Sequence, residues 1–371
     1  MPVGIAIIIG QLGIGGAEQQ LFYFLSGIDR TRFCPEVINL GSESNEHWAG
    51  PIDQLGINVW HVPRSLGRLQ RILKIVNILR TKKVKVVHSW VFHTNPYAKL
   101  CGKLAGVPLQ VGSMRENYEG LPKSQLLRWL GLRSNVLVTN SAFTAQHLSE
   151  SNHPKLQVKV VPNGIGVSQE FSPADLLGLR AKLGILPNQL LMGSIGRLDH
   201  NKNHAMLVNV FCMLEPQWPD LRLMIIGEGP LRSLLINMAK SKGVSDKVFF
   251  PGAIPNAAQY LPAFDVCCLT SWTEGMPNLV MEAAAAKVPV VSTDCGGSKE
   301  LIDHGVTGYL VSPNNTEDMA KYVNGLLKYP DSREFMGKAG REKMERDFGL
   351  KQMVMNMTTV YLDALAEKGA Q

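Results

Sequence analysis

Two glutamates, Glu274 and Glu282, are separated by seven residues in a stretch suited to binding an anion and hydroxyl groups. Pro277-Asn278 predicts a helix start, which puts Glu282 just over one turn inside the helix and Glu274 in the loop before it. Backbone N–H groups of residues 275–279 could receive an anion, and carboxylates accept protons from the hydroxyls of a sugar or ribose. Alternatively, Glu274 caps the helix and Glu282 faces solvent.

Two cations follow the apolar run Leu190 to Ile195, in the segment that begins at Gly196. Arg197 supplies a planar fork of donors and Lys202 a mobile point charge, which are the two shapes needed to hold a diphosphate from two sides. The competing interpretation is that both are solvated surface cations.

A glycine-rich turn, Gly10 to Gly16, follows the apolar run Val3 to Ile9. Glycines let backbone N–H groups approach a phosphate at a helix start, but this turn fits neither of the common nucleotide-binding glycine patterns. The alternative that this segment is a tight turn without a ligand stays open. His93 lies after the apolar run that ends at His88, and a lone histidine is more often structural than catalytic.

The elements that must position these residues alternate between apolar runs and helical stretches. This βα alternation predicts an α/β fold with two Rossmann-like, doubly wound parallel-sheet domains facing a cleft. We place the hinge in the Pro-rich segment from Val161 to Pro187. The expected domains are residues 1–170 (acceptor side), residues 171–349 (nucleotide-sugar side) and a helix within 350–371 that crosses back. The predicted strands are Val3–Ile9, Pro35–Leu40, Val84–His88, Leu109–Gly112, Val136–Thr139, Leu190–Ile195, Arg222–Gly227, Val248–Phe250, Asp265–Leu269 and Val288–Ser292.

Composition narrows the class of protein. The chain has 371 residues, of which 45% are hydrophobic, so a disordered chain is excluded. Its six cysteines form no C-x-x-C pair, which indicates neither a zinc site nor a disulfide framework. No apolar run approaches the roughly 18 residues of a membrane span, and no basic segment precedes the first apolar run. We therefore expect a cytoplasmic location.

Positive charge is concentrated between Gln54 and Arg115, which contains no Asp or Glu and eleven Lys or Arg. Leu66, Leu69 and Leu73 recur within it at helical spacing. This pattern is consistent with peripheral docking on an anionic membrane, at the inner face of the cell membrane, or with a helix packed on its own sheet beneath a solvated basic rim. Nucleic acid is not expected as a partner, because no array of base-stacking aromatic residues accompanies the charge.

Taken in order, these residues resemble the group 1 glycosyltransferases, a family of retaining enzymes with the GT-B fold. The motifs that carry the resemblance are Gly15-Gly16-Ala17-Glu18, Val86-Val87-His88 with His93, Asn140-Ser141, Val161-Pro162-Asn163-Gly164, Gly196-Arg197 with Lys202, Ile226-Gly227-Glu228-Gly229-Pro230-Leu231, Glu274 with Glu282, and Gly296-Gly297 with Glu300. The chain departs from the family pattern at Gly166, where an Asp is usual, and at Trp90, where a second His is frequent.

The resemblance implies a role for each site residue. Arg197 and Lys202 would hold the donor diphosphate and Glu274 and His93 the hydroxyls of the donor sugar. Glu282 would bind the ribose. The other implied donor contacts are the backbone near Ile254 against the base, and Gly15, Gly16, Gly196, Gly275, Met276, Pro277, Asn278 and Leu279.

The activity implied is transfer of a hexose or N-acetylhexosamine from a UDP- or GDP-sugar to a hydroxyl of a glycan or lipid-linked acceptor, with retention of configuration. Cell-surface polysaccharide, lipopolysaccharide or glycolipid synthesis would be the setting. No cofactor or metal is expected, since the sequence contains no Asp-x-Asp motif. Two other classes stay open: a sugar-nucleotide epimerase of similar fold and a non-catalytic binding partner.

Overall fold

The computed structural model describes residues 2–41, 46–115, 132, 134–150, 157–166 and 170–369. The chain divides into two compact units, Met1–Gly164 with Leu350–Gln371, and Ile165–Gly349. Sequence analysis put the corresponding boundary at residue 170.

The first unit is built on a parallel sheet whose strand order, among the described residues, is β3-β2-β1-β4-β5-β6-β7. Its strands are β1 (Val3–Ile9), β2 (Phe33–Asn39), β3 (Val59–His61), β4 (Val86–Ser89), β5 (Leu109–Met114), β6 (Val136–Thr139) and β7 (Val158–Val160). Its helices are α1 (Gly16–Gly27), α2 (Ala49–Gln54), α3 (Arg68–Thr81), α4 (Asn95–Ala105), α5 (Ala142–Glu150) and, from the end of the chain, α13 (Leu350–Ala366).

The second unit repeats this plan, with the strand order β10-β9-β8-β11-β12-β13. Its strands are β8 (Leu190–Ile195), β9 (Leu221–Ile226), β10 (Val248–Gly252), β11 (Val266–Leu269), β12 (Val290–Thr293) and β13 (Gly308–Val311). Its helices are α6 (Pro173–Lys182), α7 (His204–Leu214), α8 (Arg232–Ser241), α9 (Asn278–Ala285), α10 (Ser298–Leu301), α11 (Thr316–Lys328) and α12 (Pro330–Asp347).

Each sheet has a switch point, where chain order reverses on either side of one strand pair. In the first unit it lies between β1 and β4, and in the second between β8 and β11. Loops that leave the carboxyl ends of two such strands run in opposite directions and open a crevice, where ligands bind in open α/β sheets. The fold therefore points to the loops after these four strands.

The core follows from the continuous apolar runs of the strands, because a parallel sheet covered by helices is buried on both faces. Ile5, Ile7 and Ile9 of β1 are fully buried. The C-terminal helix α13 completes the core of the first unit with Met357 and Tyr361, both fully buried.

Candidate active site

The loops after β8 and β11 are joined by hydrogen bonds at the switch point of the second unit. Asn201 accepts a bond from Trp272 N at 2.8 Å and donates from Nδ2 to Thr273 O at 2.9 Å. Thr270 Oγ1 donates to Lys202 O at 2.8 Å. These contacts fix the backbone of Lys202 and of the residues that directly precede Lys202 and Glu274.

Lys202 and Glu274 form an ion pair between the two loops, with Lys202 Nζ donating to Glu274 Oε1. Ser271 Oγ donates to the same oxygen at 2.7 Å. The two charged side chains are only 26% and 13% exposed. Burial by itself would lower the pKa of Lys202, but the Glu274 carboxylate, followed by Asp199, outweighs it and raises that pKa. Lys202 is therefore not a solvated bystander.

Helix α9 begins directly after this loop, as the sequence predicts. Its N-cap residue is Pro277, whose own side chain makes no capping hydrogen bond. Met276 and Leu279 are buried beneath the loop, whereas Glu282, one turn into α9, is partly exposed. The pKa of Cys267 in β11 is raised mainly by burial and next by Cys268. The Glu282 carboxylate is the third cause.

Gly296 sets the position of the Glu274 backbone. Its φ is +57°, and a Cβ there would lie 1.7 Å from Glu274 O. Gly297 N donates to Gly275 O at 2.8 Å. Only a residue without a side chain allows this approach in the left-handed region, so the Gly-Gly pair is a support for the loop.

Arg197 lies at the same strand end but reaches further into solvent. Its side chain is 72% exposed, and its Nε lies 3.7 Å from Asp199 Oδ2. Asp199 Oδ1 also accepts from Lys202 N at 3.1 Å, so this one carboxylate contacts both predicted diphosphate ligands. Gly196 lies beside the Lys202 side chain. A Cβ on Gly196 would be 3.8 Å from the nearest Lys202 side-chain carbon, which is an ordinary van der Waals contact.

Ile254 follows β10 at the carboxyl edge of the same sheet. It is half-buried against the apolar cluster beneath α9. Gly227, between this segment and Gly196, has φ +155°, and a Cβ there would lie 1.9 Å from Gly196 O. The backbone of the two strand ends is therefore in close contact beside the predicted base site.

The first unit brings His93 to its own switch point. His93 lies in a 3₁₀ turn, Phe92–Thr94, and its imidazole covers Gly10, where a Cβ would be 2.2 Å from Nε2. Gly15 is the N-cap of α1 and Gly16 its first residue. A Cβ on Gly15 would lie 2.3 Å from Glu18 Oε2, so this helix start already has a carboxylate of the chain beside it.

Buried hydrogen bonds fix the surroundings of His93. Trp90 is fully buried, and its Nε1 donates to Ala17 O at 2.8 Å. The Arg115 guanidinium lies 4.0 Å from the Trp90 ring centroid and donates to Asn163 Oδ1 at 2.9 Å. Gln20 makes two bonds of 2.9 Å with the backbone of Gly164. Trp90 thus links β4 to α1, a structural role for the position at which the family often has histidine.

Two family models match the chain, one over each unit. "Glycosyl transferase 4-like domain" matches residues 15–164, and "Glycosyl transferases group 1" matches residues 178–343. The chain belongs to the group 1 glycosyltransferases. The predicted family is thereby confirmed.

Curated relatives of this glycosyltransferase family member include an uncharacterized glycosyltransferase of Haemophilus influenzae, 31% identical over 62% of this chain and 64% of that one. Another is the UDP-Gal:alpha-D-GlcNAc-diphosphoundecaprenol alpha-1,3-galactosyltransferase of Escherichia coli, 23% identical over 81% of each chain. The match with the Haemophilus protein spans a little under two thirds of its length.

Among solved structures, that of Anabaena Alr3699/HepE in complex with UDP and glucose has a TM-score of 0.85. It is 20% identical, and the match covers 97% of this chain and 100% of that one. With the two parallel sheets, this likeness confirms the GT-B fold class.

Sequence reasoning missed the residues that support the ion pair. Asp199, Asn201 and Ser271 each make hydrogen bonds to the two loops. Asp199 three residues before Lys202, and Ser271 three before Glu274, are spacings typical of side-chain-to-backbone turns and could have drawn attention.

The described residues of this family member contain neither a metal-binding cluster nor a membrane-spanning helix. No group of three or more His, Cys, Asp or Glu in that part of the chain is placed to hold a metal ion. None of its described helices combines the length and apolar character needed to cross a bilayer.

Proposed function

We propose that this protein is a retaining, metal-independent glycosyltransferase. It moves a hexose or N-acetylhexosamine from a UDP- or GDP-sugar to a hydroxyl of a glycan or lipid-linked acceptor, in cell-surface polysaccharide or glycolipid synthesis. The observation that carries the proposal is the Lys202–Glu274 pair at a sheet switch point, directly before the start of α9. A UDP complex of the Anabaena structure and the diphosphoundecaprenol acceptor named for the Escherichia coli relative support the two substrate classes.

The ion pair suits an exchange of partners on donor binding. Without substrate, Lys202 and Glu274 neutralise each other, so neither poorly exposed charge is left unpaired. With the donor bound, the diphosphate takes Lys202 and the sugar hydroxyls take Glu274. Arg197 and the N–H groups at the start of α9, from Gly275 to Leu279, add further donors to the phosphates.

Departure of the nucleotide is the step these groups assist. Cleavage of the glycosyl–phosphate bond leaves its electron pair on the diphosphate and positive charge on the sugar. Fixed donors at the developing anion are each worth about 3 kcal/mol. In the proposed transfer, the departing phosphate accepts the acceptor proton on the same face of the sugar, so the configuration is retained.

The remaining predicted ligands bind other parts of the donor. Glu282 holds the ribose and the backbone near Ile254 faces the base. In the first unit, His93 binds a hydroxyl of the donor sugar, and the amides near Gly15 and Gly16 add to the phosphate site.

The test is a transfer assay with UDP-glucose, UDP-galactose, UDP-N-acetylglucosamine and GDP-mannose against lipid-linked and free glycan acceptors. Lys202→Ala and Glu274→Gln should each reduce turnover by a factor of about 100 to 1,000, the effect of losing one such group. Lys287→Ala, which removes the exposed ion pair with Glu170, is the matched control and should leave turnover unchanged. Wild-type turnover in both site variants would refute the proposal.

Two products would contradict particular parts of it. An epimerised nucleotide sugar formed without acceptor would indicate the epimerase class. A product whose anomeric proton shows inverted configuration by NMR would exclude retention.

The basic helix of the first unit supports docking on an anionic membrane surface. Arg71 is buried and binds Tyr97 and Leu40 O, so it is not a surface charge as the sequence pattern suggested. Leu69 and Leu73 of α3 are 69% and 59% exposed. The Ile75 face of this helix packs on the sheet, whereas Leu69 and Leu73 stay exposed and leave a surface for the proposed docking.

Helix α4 extends the same apolar surface. It packs beside α3, with Arg80 donating to Leu104 O at 2.7 Å, and exposes Leu100 and Leu104 by 45% and 50%. The same part of the chain carries these exposed basic residues: Arg64, Arg68, Lys74, Arg80, Lys82, Lys83, Lys85 and Lys103. Leucines that enter an interface beside cations attracted to anionic lipid are typical of peripheral docking.

Flotation with vesicles of phosphatidylcholine, with and without phosphatidylglycerol, tests this surface. The Leu69→Ser/Leu73→Ser variant should bind anionic vesicles less than wild type. A Leu177→Ser/Leu186→Ser variant, which changes leucines 50% and 57% exposed in the second unit, should not. Equal binding to neutral and anionic vesicles would refute membrane docking while leaving the transferase assay unaffected.

A further inference from the structure

The second unit contains a cavity of about 360 Å³ that the proposed donor site does not use. It lies between the start of α7, the start of α8 and the loop that leads to Glu274. Among its lining residues are Asn201, Asn203, His204, Leu231, Leu234 and Trp272. Of the described residues that line it, none belongs to the predicted donor ligands. Its size is at the lower end of the range for small-molecule sites, roughly 300–1,000 Å³.

The walls combine apolar surface with uncharged polar groups. Trp272 and Leu234 are 47% and 53% exposed and supply the apolar part of the wall. Asn201 and Asn203 contribute amides. His204 is 2% exposed, and its Nδ1 has no hydrogen-bond partner in the structure. Burial, followed by the charge of Lys202, lowers the pKa of His204 to about 4, so the imidazole is neutral at pH 7.

We propose that this cavity is an accessory binding site for a neutral saccharide, with a sugar ring packed against Trp272 and its hydroxyls directed to the amide and imidazole groups. A sugar presents apolar C–H faces together with hydroxyls that donate and accept, which matches a half-exposed indole beside neutral polar groups. No charged side chain is found among the described lining residues, so an ionic ligand has no counter-charge in the wall.

The cavity is connected to the donor site through its own wall. Asn201, which lines it, bonds to the backbone of Trp272 and Thr273 and directly precedes Lys202. A ring against Trp272 would therefore restrain the segment that ends at Glu274. The site goes beyond the proposed transfer reaction and does not depend on it, since saccharide binding can be measured without turnover.

Saturation-transfer-difference NMR with maltose and N,N′-diacetylchitobiose tests the proposal. Saturating UDP is added to occupy the donor site. Wild type should show transfer to ring protons, and Trp272→Ala and Leu234→Ala should each weaken binding by at least about tenfold. Leu234 belongs to α8 and not to the Glu274 loop, so its variant changes no residue of that loop. Phe335→Ala, which removes another aromatic residue, 62% exposed, is the matched control.

The outcomes are decisive in both directions. Binding by wild type and Phe335→Ala that is lost in both cavity variants supports the site. Absence of transfer to either sugar at millimolar concentration overturns it. So does undiminished binding in Leu234→Ala, because the sugar would then be held elsewhere.

Discussion

Burial keeps two histidines neutral in the folded chain, whereas both can bind protons in the unfolded chain. Burial lowers the pKa of His204 from 6.5 to about 4, and it lowers that of His88 well below 6.5. Between pH 6.5 and 4 the unfolded chain therefore binds protons that the folded chain does not. The free energy of unfolding must rise with pH across this window and fall as the solution is acidified.

We expect His204→Gln to remove part of this acid sensitivity. A pKa difference of about 2.5 units corresponds to about 3 kcal/mol lost between pH 6.5 and 4, at about 1.4 kcal/mol per unit. Urea unfolding at several pH values in that range measures the slope. His147→Gln, at an exposed position, is the control. An unchanged slope in His204→Gln would mean that this imidazole does not titrate on unfolding.

The contact between Gly10 and His93 leads to a second prediction for a single residue. A Cβ on Gly10 would approach His93 Nε2 to 2.2 Å, so Gly10→Ala must displace the imidazole. We expect a folded protein with turnover reduced at least about tenfold, since misplacing a ligand of the sugar by about 1 Å is costly. Gly50→Ala, where nothing lies within 4 Å of the new Cβ, should leave transfer unchanged. Full activity in Gly10→Ala would remove His93 from the site.

Among elements, the strands that sequence reasoning missed share a physical property. β3 (Val59–His61), β7 (Val158–Val160) and β13 (Gly308–Val311) lie at sheet edges. β3 and β7 carry the polar residues His61 and Lys159, so they lack the continuous apolar run that marks a central strand, whereas β10, another edge strand, was predicted as Val248–Phe250. The central strands Val136–Thr139 and Leu190–Ile195, by contrast, were predicted with their observed bounds.

The candidate site was predictable to the extent that it depends on local spacing. The positions of Lys202 and Glu274 relative to their strands and to the start of α9 follow from the sequence. Their ion pair does not, because it needs β8 and β11 to be neighbours in the sheet, which local patterns do not specify. The same applies to Gly296, whose role appears only once its Cα is found against Glu274 O.

The loop that carries Glu274 should be sensitive to any side chain at Gly296. Gly296→Ala combines left-handed strain with a Cβ placed 1.7 Å from Glu274 O, so the loop must move. Gly305→Ala has the strain alone, at φ +81° with nothing within 4 Å. We expect a cost of about 1 kcal/mol for Gly305→Ala and, for Gly296→Ala, a larger loss of stability with loss of turnover. Thermal unfolding and the transfer assay compare them, and equal effects would mean that the contact with Glu274 is unimportant.

At the scale of the whole molecule, the chain leaves its first unit after Gly164 and returns to it at Leu350. The returning helix α13 is part of that unit's core. Tyr361 is fully buried, and its hydroxyl lies 2.6 Å from His88 Nδ1, while Ser113 Oγ lies 2.8 Å from Nε2. The first unit is therefore incomplete until residues 350–366 have been synthesised, whereas residues 165–349 contain a core of their own.

This asymmetry predicts that damage to α13 will destabilise one unit selectively. Deleting residues 350–371 removes the buried side chains of Met353, Met357, Tyr361 and Leu365 from the first unit, each worth about 2–5 kcal/mol in a core. Calorimetry should show the transition of the first unit lost or strongly lowered, and that of the second unit retained. Deleting only residues 367–371, beyond the helix, should change neither transition.

Tyr361→Phe is a milder test of the same helix. It leaves His88 Nδ1 without the tyrosine hydroxyl and should cost about 1–3 kcal/mol, again in the first unit alone. If both transitions shifted together, α13 would be supporting the two units jointly.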